Sequence, residues 1–191
     1  MTPAAAPPAP PAVAPDPAAP SALRVRPATA ADLPCIARIY NEGIRSGRAT
    51  FETRERSPGE LSAWLERPQH PVLVAERGGN AGGWTVVGWI AAAPYRPRAC
   101  YGGVAEFSVY VGAEARGRGV GSALMAAFVR ACEDAGLWKL VARVFVDNAA
   151  SRALLYRHGF REVGVYEKHA QLRGVWRDVV IVERLLGRNL S

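Results

Sequence analysis

The stretch ARGRGVGSAL, residues 115–124, places three glycines at alternate positions, with two arginines beside them and an apolar helix after them. Glycine lets a ligand approach the main chain and permits backbone angles that other residues avoid. The amides of such a loop and of the first helical turn point forward with the positive end of the helix dipole, and the arginines add charge. The stretch therefore predicts a pyrophosphate-binding site, with a plain strand-to-helix turn as the alternative.

Two other phosphate-binding motifs do not fit this stretch. The dinucleotide fingerprint G-x-G-x-x-G needs a glycine where Ser122 stands, and the Walker loop needs G-K-[ST], which is absent. What remains is a strand over 104–112, the glycine loop, and a helix from about residue 119 to about residue 135 with one apolar face.

The composition separates a tail from a single domain. Residues 1–20 contain eight prolines and eight alanines. Such a segment buries too little apolar surface to offset the entropy of ordering, so we expect a disordered tail over 1–22 and one domain over 23–187. The tail lacks the basic start and apolar run of a signal peptide, and no later stretch has the length and apolar character of a membrane span. Both observations favour a cytoplasmic protein.

Charge and cysteine usage limit the partners. The formal net charge is +7, from 22 arginines, 2 lysines and 17 acidic residues. This charge suits an anionic ligand, but the arginines form no single run and no nucleic-acid-binding signature is present, so no nucleic-acid partner is expected. Cys35, Cys100 and Cys132 are scattered without metal-ligand spacing, which predicts free thiols and no metal site.

Hydrophobic periodicity predicts strands and helices in the order β-α-α-β-β-β-α-β-α-β-β. Capping boxes at 29–32 and 57–60 begin the first two helices, GGNAGG at 78–83 predicts a hairpin turn, and Asn148 begins a helix that runs to His158. Hairpins and crossover helices together predict a mixed sheet. The predicted strands are 23–27, 71–76, 84–95, 104–112, 139–146, 160–169 and 175–186.

Two segments carry a family resemblance. SVYVGAEARGRGVGSALMAAF, residues 108–128, resembles the core motif of the GNAT acyl-CoA N-acyltransferases, R/Q-x-x-G-x-G/A after a strand, with Arg116, Gly119 and Gly121 on its fixed positions. DNAASRALLYRHGF, residues 147–160, resembles the family's N-x-x-S/A-x-x-L-Y-x-x-x-G-F motif. The resemblance implies an α/β (α+β) fold with a mixed, mostly antiparallel central sheet of about seven strands, flanked by about four helices.

The resemblance also implies that acetyl-CoA is the co-substrate. Its pyrophosphate would lie on the glycine-loop amides, its pantetheine arm would bond to the preceding strand, and Asn148 would contact the arm while capping its own helix. The implied cofactor-binding residues are Val109, Tyr110, Val111, Arg116, Gly117, Arg118, Gly119, Val120, Gly121, Ser122, Asn148 and Ser151.

Further segments resemble the branch of phosphinothricin-type acetyltransferases, among them ATFET at 49–53, VAEFSVYV at 104–111 and GVWRDVVIVERLL at 174–186. That branch acetylates the α-amine of small amino acids such as phosphinothricin, methionine sulfoximine or arsinothricin, and the resemblance implies a homodimer. It also implies that Arg98 binds the substrate carboxylate, with Arg96 as an alternative. The implied substrate-binding residues are Arg98, Phe51, Tyr101 and Ser108.

The reaction needs a base, because an α-amine bound as ammonium must lose a proton before its nitrogen attacks a thioester. The branch resemblance implies Glu106, which shares a strand face with Ser108. A carboxylate in an apolar strand is costly unless it is paired or used, so a salt bridge to an arginine is the alternative. The resemblance further implies the Val109 N–H as donor to the oxyanion.

The general acid departs from the family pattern. Leu155 stands at the usual Tyr or His position, and Tyr156 points about 100° away on a helix. Solvent is then the remaining proton donor to the thiolate. Rival functions are acetylation of a protein amine, a polyamine or an antibiotic, and a related domain that binds acetyl-CoA without turnover.

Overall fold

Seven strands form one sheet in the computed structural model, which describes residues 22–78 and 83–190. Their order is β1-β2-β3-β4-β5-β7-β6, and all neighbours are antiparallel except β4 and β5. The strands are β1 Leu23–Pro27, β2 Val72–Gly78, β3 Trp84–Pro94, β4 Val104–Val111, β5 Lys139–Phe145, β6 Arg161–Leu172 and β7 Val175–Leu185. The helices are α1 Leu33–Ser46, α2 Pro58–Leu61, α3 Val120–Asp134 and α4 Ala149–Arg157. The predicted order of elements and the mixed, mostly antiparallel sheet are confirmed.

Hydrogen bonds hold both ends of the described residues. Residues 1–21 of the predicted tail and 79–82 of the predicted turn lie outside the described residues. The Ala22 carbonyl accepts a hydrogen bond from the Gly78 N–H at 2.8 Å, next to the β1–β2 ladder. At the other end, Asn189 Nδ2 donates to the Glu133 and Leu137 carbonyls at 2.8 Å, so packed structure continues beyond residue 187.

Both predicted capping boxes are present, at Thr29/Asp32 before α1 and at Ser57/Glu60 before α2. Asp32 is also buried and accepts from Arg26 Nη1 at 2.7 Å and Nη2 at 2.8 Å. The Arg26 hydrogen bonds, followed by those from Thr29, hold the pKa of Asp32 at about 2, below its ordinary 3.8. This ion pair ties β1 to the start of α1.

Helices cover both faces of the sheet. Alternate strand residues such as Val74 and Trp89 pack with α1 and α2, whereas their neighbours, such as Ile90 and Phe107, pack with α3 and α4. No helix of the described residues is long and apolar enough to cross a bilayer. The face that carries Glu106 on β4 extends beyond α1 toward β5, β7 and β6, where its side chains are partly open to solvent.

Candidate active site

The sheet splits between β4 and β5. The two strands pair only over their first three residues, Val104–Glu106 against Lys139–Val141. Beyond this point β4 stays with β3 as far as Val111, and β5 stays with β7 as far as Phe145. A wedge therefore opens in the middle of the sheet and holds a narrow cleft of about 70 Å³.

The β4 main chain presents polar groups to this wedge. The Gly112 N–H donates to the Val87 carbonyl at 2.9 Å, toward β3, whereas the Val111 carbonyl accepts from Arg116 Nε at 3.1 Å. Main-chain groups alternate in direction along a strand. The Val109 N–H therefore points to the same side as the Val111 carbonyl, away from β3 and into the wedge. The predicted oxyanion donor thus faces the cleft.

A wider cleft of about 570 Å³ continues from the wedge to the glycine loop. The two clefts share Ala49, Val109, Tyr110, Asn148 and Ser151, so they are adjacent, and together they are called the channel. The predicted cofactor-binding residues line the wider cleft with one exception, Arg118, which is exposed and lies outside the lining. Its volume suits a ligand much larger than an amino acid.

The glycine loop has the backbone that an anion site needs. Gly117 has φ +70° and Gly119, the N-cap of α3, has φ +79°, and nothing lies within 4 Å of a Cβ built at either position. A Cβ at Gly121 would lie 3.1 Å from Leu154 Cδ2. The first amides of α3 have no partner within the helix. Open space, free amides and the guanidinium of Arg116 fit a pyrophosphate.

Sequence reasoning missed two basic residues that line the wider cleft, Arg48 and Arg157. Arg157 lies on the α4 face formed by Ala150, Ala153, Leu154 and Arg157 itself. This spacing of three and four residues is a helical periodicity that the sequence displays. Arg48 has no such signal, because it reaches the cleft through a long-range contact in which Asn148 Nδ2 donates to the Arg48 carbonyl at 3.2 Å. Asn148 also caps α4 as predicted, accepting from the Ser151 N–H at 3.1 Å.

His158, for which the sequence offers no partner, is hydrogen-bonded to the loop helix. Its Nε2 lies 2.7 Å from the Ser122 hydroxyl, which lines the wider cleft. Burial, followed by the charges of Arg184 and Arg157, lowers the pKa of His158 below its ordinary 6.5. The neutral imidazole therefore ties the end of α4 to the first turn of α3.

Tyr110 forms a rigid wall shared by both clefts. Its ring stacks on Trp89 with centroids 4.8 Å apart, and its hydroxyl donates to the Ala49 carbonyl at 3.2 Å. Gly43 of α1 makes room for it, since a Cβ there would lie 2.6 Å from Tyr110 Cε1. Burial raises the pKa of Tyr110.

Glu106 is held by an arginine across the wedge. Arg143 of β5 donates to Glu106 Oε1 from Nε at 2.8 Å, and to Oε1 and Oε2 from Nη2 at 2.6 Å each. The two side chains are 28% and 42% exposed, and Arg143 lines the narrow cleft. The sequence leaves a salt bridge to an arginine open as the alternative role of Glu106, and the structure contains this salt bridge, with Arg143 as the partner.

The predicted substrate residues fall into two groups. Ser108 lines the narrow cleft, and Phe51 packs edge-on against the cleft residue Phe145 with centroids 4.8 Å apart. Arg98 and Tyr101 lie on the loop between β3 and β4 and line neither cleft. This loop joins the strands at the end nearer Glu106.

The position of the usual general acid is apolar. Leu155 is 2% exposed and lines the narrow cleft. The Tyr156 hydroxyl donates to Glu162 Oε2 at 2.6 Å and lines neither cleft, so it does not supply the missing proton donor. Within residues 22–78 and 83–190, no cluster of His, Cys, Asp or Glu suits a metal ion.

A split sheet, a glycine loop at a helix N-terminus and a channel between them define an acyl-CoA-dependent N-acyltransferase. The sequence model of the acetyltransferase (GNAT) family matches residues 36–160, and the chain belongs to this family. It is an acetyl-CoA-dependent N-acetyltransferase.

Three similar proteins extend the comparison. The phosphinothricin N-acetyltransferase of Alcaligenes faecalis is 35% identical over 159 residues, which are 81% of this chain and 78% of that protein. A phosphinothricin acetyltransferase from Sinorhizobium meliloti, solved with acetyl-CoA, has a TM-score of 0.79 at 30% identity and covers 88% of this chain and 90% of its own. A ribosomal-protein-alanine N-acetyltransferase from Brucella melitensis has a TM-score of 0.79 at 34% identity and covers 85% of this chain and 99% of its own.

Proposed function

We propose that this enzyme acetylates the primary amine of small amino-acid-like compounds such as phosphinothricin or methionine sulfoximine. The observation that carries the proposal is the channel, which runs from the glycine loop to the wedge and ends at Arg143. Arg143 binds Glu106, the one acidic side chain of β4, which itself lines neither cleft. Similarity to phosphinothricin acetyltransferases supports the substrate class.

The glycine loop, from Arg116 to Gly121, is proposed to hold the CoA pyrophosphate, while Asn148 and Ser151 contact the pantetheine arm. The thioester then lies in the wedge, where its carbonyl carbon accepts the amine. The Val109 N–H points into this space and is proposed to donate to the oxyanion as it forms.

Glu106 is proposed to take the proton of the substrate ammonium, directly or through water. The freed nitrogen lone pair forms the C–N bond, the C–S bond breaks, and the thiolate takes a proton from solvent. Solvent is sufficient because a thiol with a pKa near its ordinary value of about 8.5 is a fair leaving group. Leu155 and the engaged hydroxyl of Tyr156 support this assignment.

Four residues are proposed to hold the substrate. Ser108 lines the narrow cleft and Phe51 packs against the cleft residue Phe145, whereas Arg98 and Tyr101 lie on the loop between β3 and β4 and line neither cleft. Arg98 is exposed and makes no side-chain hydrogen bond to the described residues, so its guanidinium is available to an anion.

The test is thiol release from acetyl-CoA with a panel of amines: phosphinothricin, methionine sulfoximine, arsinothricin, plain amino acids, a polyamine and a lysine peptide. Turnover on the amino-acid analogues, weakened in Arg98→Ala, is the expected result. Turnover on the peptide or polyamine alone would contradict the substrate class. The similarity to a ribosomal-protein-alanine acetyltransferase makes a protein amine the second candidate. Acetyl-CoA binding without turnover on any amine would support the non-catalytic alternative.

A homodimer is part of the proposal. β6 is an edge strand whose residues are almost all exposed, and it carries Val163, Val165 and Tyr166 at 53%, 44% and 53% exposure. An edge strand with exposed apolar side chains can pair with another chain, and a second copy is the proposed partner. Val165→Asp is expected to yield monomers in light scattering, whereas Leu190→Asp, at an apolar position of 51% exposure away from β6, is expected to stay dimeric. Wild-type monomers would contradict this.

The proposed compartment is the cytoplasm. Cys35, Cys100 and Cys132 are free thiols, which suits a reducing compartment.

A further inference from the structure

Arg143 has donors to spare at the acetyl end of the channel. Its Nε and Nη2 bind Glu106, but its Nη1 donates to no atom of the described residues. Two N–H bonds of the guanidinium therefore remain for a ligand. Because Arg143 lines the narrow cleft together with Ser108 and Val109, these donors lie beside the place where the substrate amine must react.

The pair presents opposite charges side by side, with nitrogen and oxygen atoms 2.6 to 2.8 Å apart. An α-amino acid zwitterion also carries an ammonium and a carboxylate on adjacent groups. Laid against the pair, its carboxylate would meet the free side of Arg143 while its ammonium meets Glu106. The two ion pairs then neutralise each other, and the amine is directed at the base.

Neighbouring charges favour the same orientation. On β7, Glu183 is already bound by Lys139 and Arg161, so it does not compete for Arg143. Its pKa is held below the ordinary 4.5 mainly by the hydrogen bond from Lys139. With Glu183 satisfied, the open face beside the wedge attracts a carboxylate through Arg143.

We propose that Arg143 is a specificity-determining residue that binds the α-carboxylate of the acceptor, and that the Arg143–Glu106 pair is the receptor for an amino-acid zwitterion. The inference rests on the proposed amino-acid substrate class. It places the carboxylate contact inside the wedge, whereas Arg98 lies on a loop outside both clefts. Arg98 then acts on the distal part of the substrate. A carboxylate has about four acceptor sites, and the three hydrogen bonds from Arg143 leave one of them to receive the ammonium proton.

The experiment compares two acceptors, methionine sulfoximine and the amine in which hydrogen replaces its α-carboxylate. Thiol release is measured at saturating acetyl-CoA for wild type, Arg143→Gln, Arg143→Lys and Arg98→Gln. Arg24→Gln is the matched control, since Arg24 is also a half-exposed arginine paired with a glutamate on the sheet, Glu76, but lines neither cleft. Acetyl-CoA affinity and melting temperature are measured for every variant.

Arg143→Gln is expected to lower kcat/KM for the amino acid about 10- to 100-fold more than for the amine, because a charge-assisted hydrogen bond is lost only with the former. Arg143→Lys recovers part of this preference, and Arg24→Gln keeps it. An equal loss with both acceptors shows a structural role and overturns the inference. So does a loss of preference in Arg98→Gln alone. If wild type acetylates only peptide amines, the proposed function itself fails, and the zwitterion receptor with it.

Discussion

Gly119→Ala separates a pyrophosphate site from a plain turn. At φ +79° an alanine costs about 1–2 kcal/mol, because its Cβ crowds the following carbonyl. Nothing lies within 4 Å of the added methyl group, so no steric contact contributes to that cost. The free loop can relieve the strain by rotating its exposed peptides, but the amides of α3 then no longer converge on the ligand.

Binding must restore the strained backbone, so the full cost falls on affinity. We expect Gly119→Ala to weaken acetyl-CoA binding about 5- to 30-fold, the factor that corresponds to 1–2 kcal/mol. Isothermal titration calorimetry with acetyl-CoA measures this directly, and urea unfolding measures the stability of the unliganded enzyme.

Gly136 provides the matched control at the other end of α3. It has φ +81° and equally open surroundings, but hydrogen bonds from the Gly136 N–H to the Glu133 carbonyl and from the Leu137 N–H to the Cys132 carbonyl fix its conformation. Gly136→Ala should therefore lose about 1–2 kcal/mol of stability and no affinity. If the two variants bind acetyl-CoA equally well, the glycine loop is only a turn, and the reasoning from its backbone is refuted.

Three further substitutions test other parts of the structure. Glu106→Gln should lower turnover by about 10²-fold or more while acetyl-CoA affinity is unchanged, and turnover equal to wild type across the pH range would remove Glu106 as the base. Asp32→Asn should cost about 2 kcal/mol at neutral pH, as the lowering of its pKa from 3.8 to about 2 implies. The folded state holds this carboxylate charged, so its contribution is complete above pH 4 and is lost as the pH falls toward 2. Urea midpoints should therefore differ between Asp32→Asn and wild type at pH 7 and converge at low pH, and a constant difference would contradict the ion pair with Arg26. Gly43→Ala places a Cβ 2.6 Å from Tyr110 Cε1 and should cost about 1–3 kcal/mol and weaken acetyl-CoA binding, whereas Gly59→Ala, with nothing within 4 Å, should do neither.

Local backbone requirements are the part of the site that sequence predicts well. The left-handed angles at Gly117 and Gly119 can be expected from glycine alone, and the cap at Asn148 from its side chain and the helical pattern that follows. The periodicity of β4 places Glu106 and Ser108 on one face. Each of these inferences depends on residues within a few positions of one another.

Long-range geometry is what the sequence leaves undetermined. The wedge depends on where the pairing of β4 with β5 stops, and no residue type in either strand marks that point. Arg143 lies 37 residues from Glu106, and with 22 arginines in the chain no pattern distinguishes it. The orientation of Tyr156 is predictable only in part, because helix geometry predicts that the ring turns away but not that Glu162 accepts a hydrogen bond from its hydroxyl.

The ion pair lies at the point where the two strands separate. Glu106 pairs with Val141, and Arg143 follows two residues later on the same face of the sheet, so the two side chains stand next to each other. The guanidinium binds Glu106 through Nε and Nη2, while its Nη1 donates to no atom of the described residues. An apolar residue at 143 would leave the carboxylate uncompensated beside an apolar cleft, which is costly. The proposed selectivity for a zwitterion therefore depends on one arginine, on the strand that separates from β4 at the proposed site of the thioester.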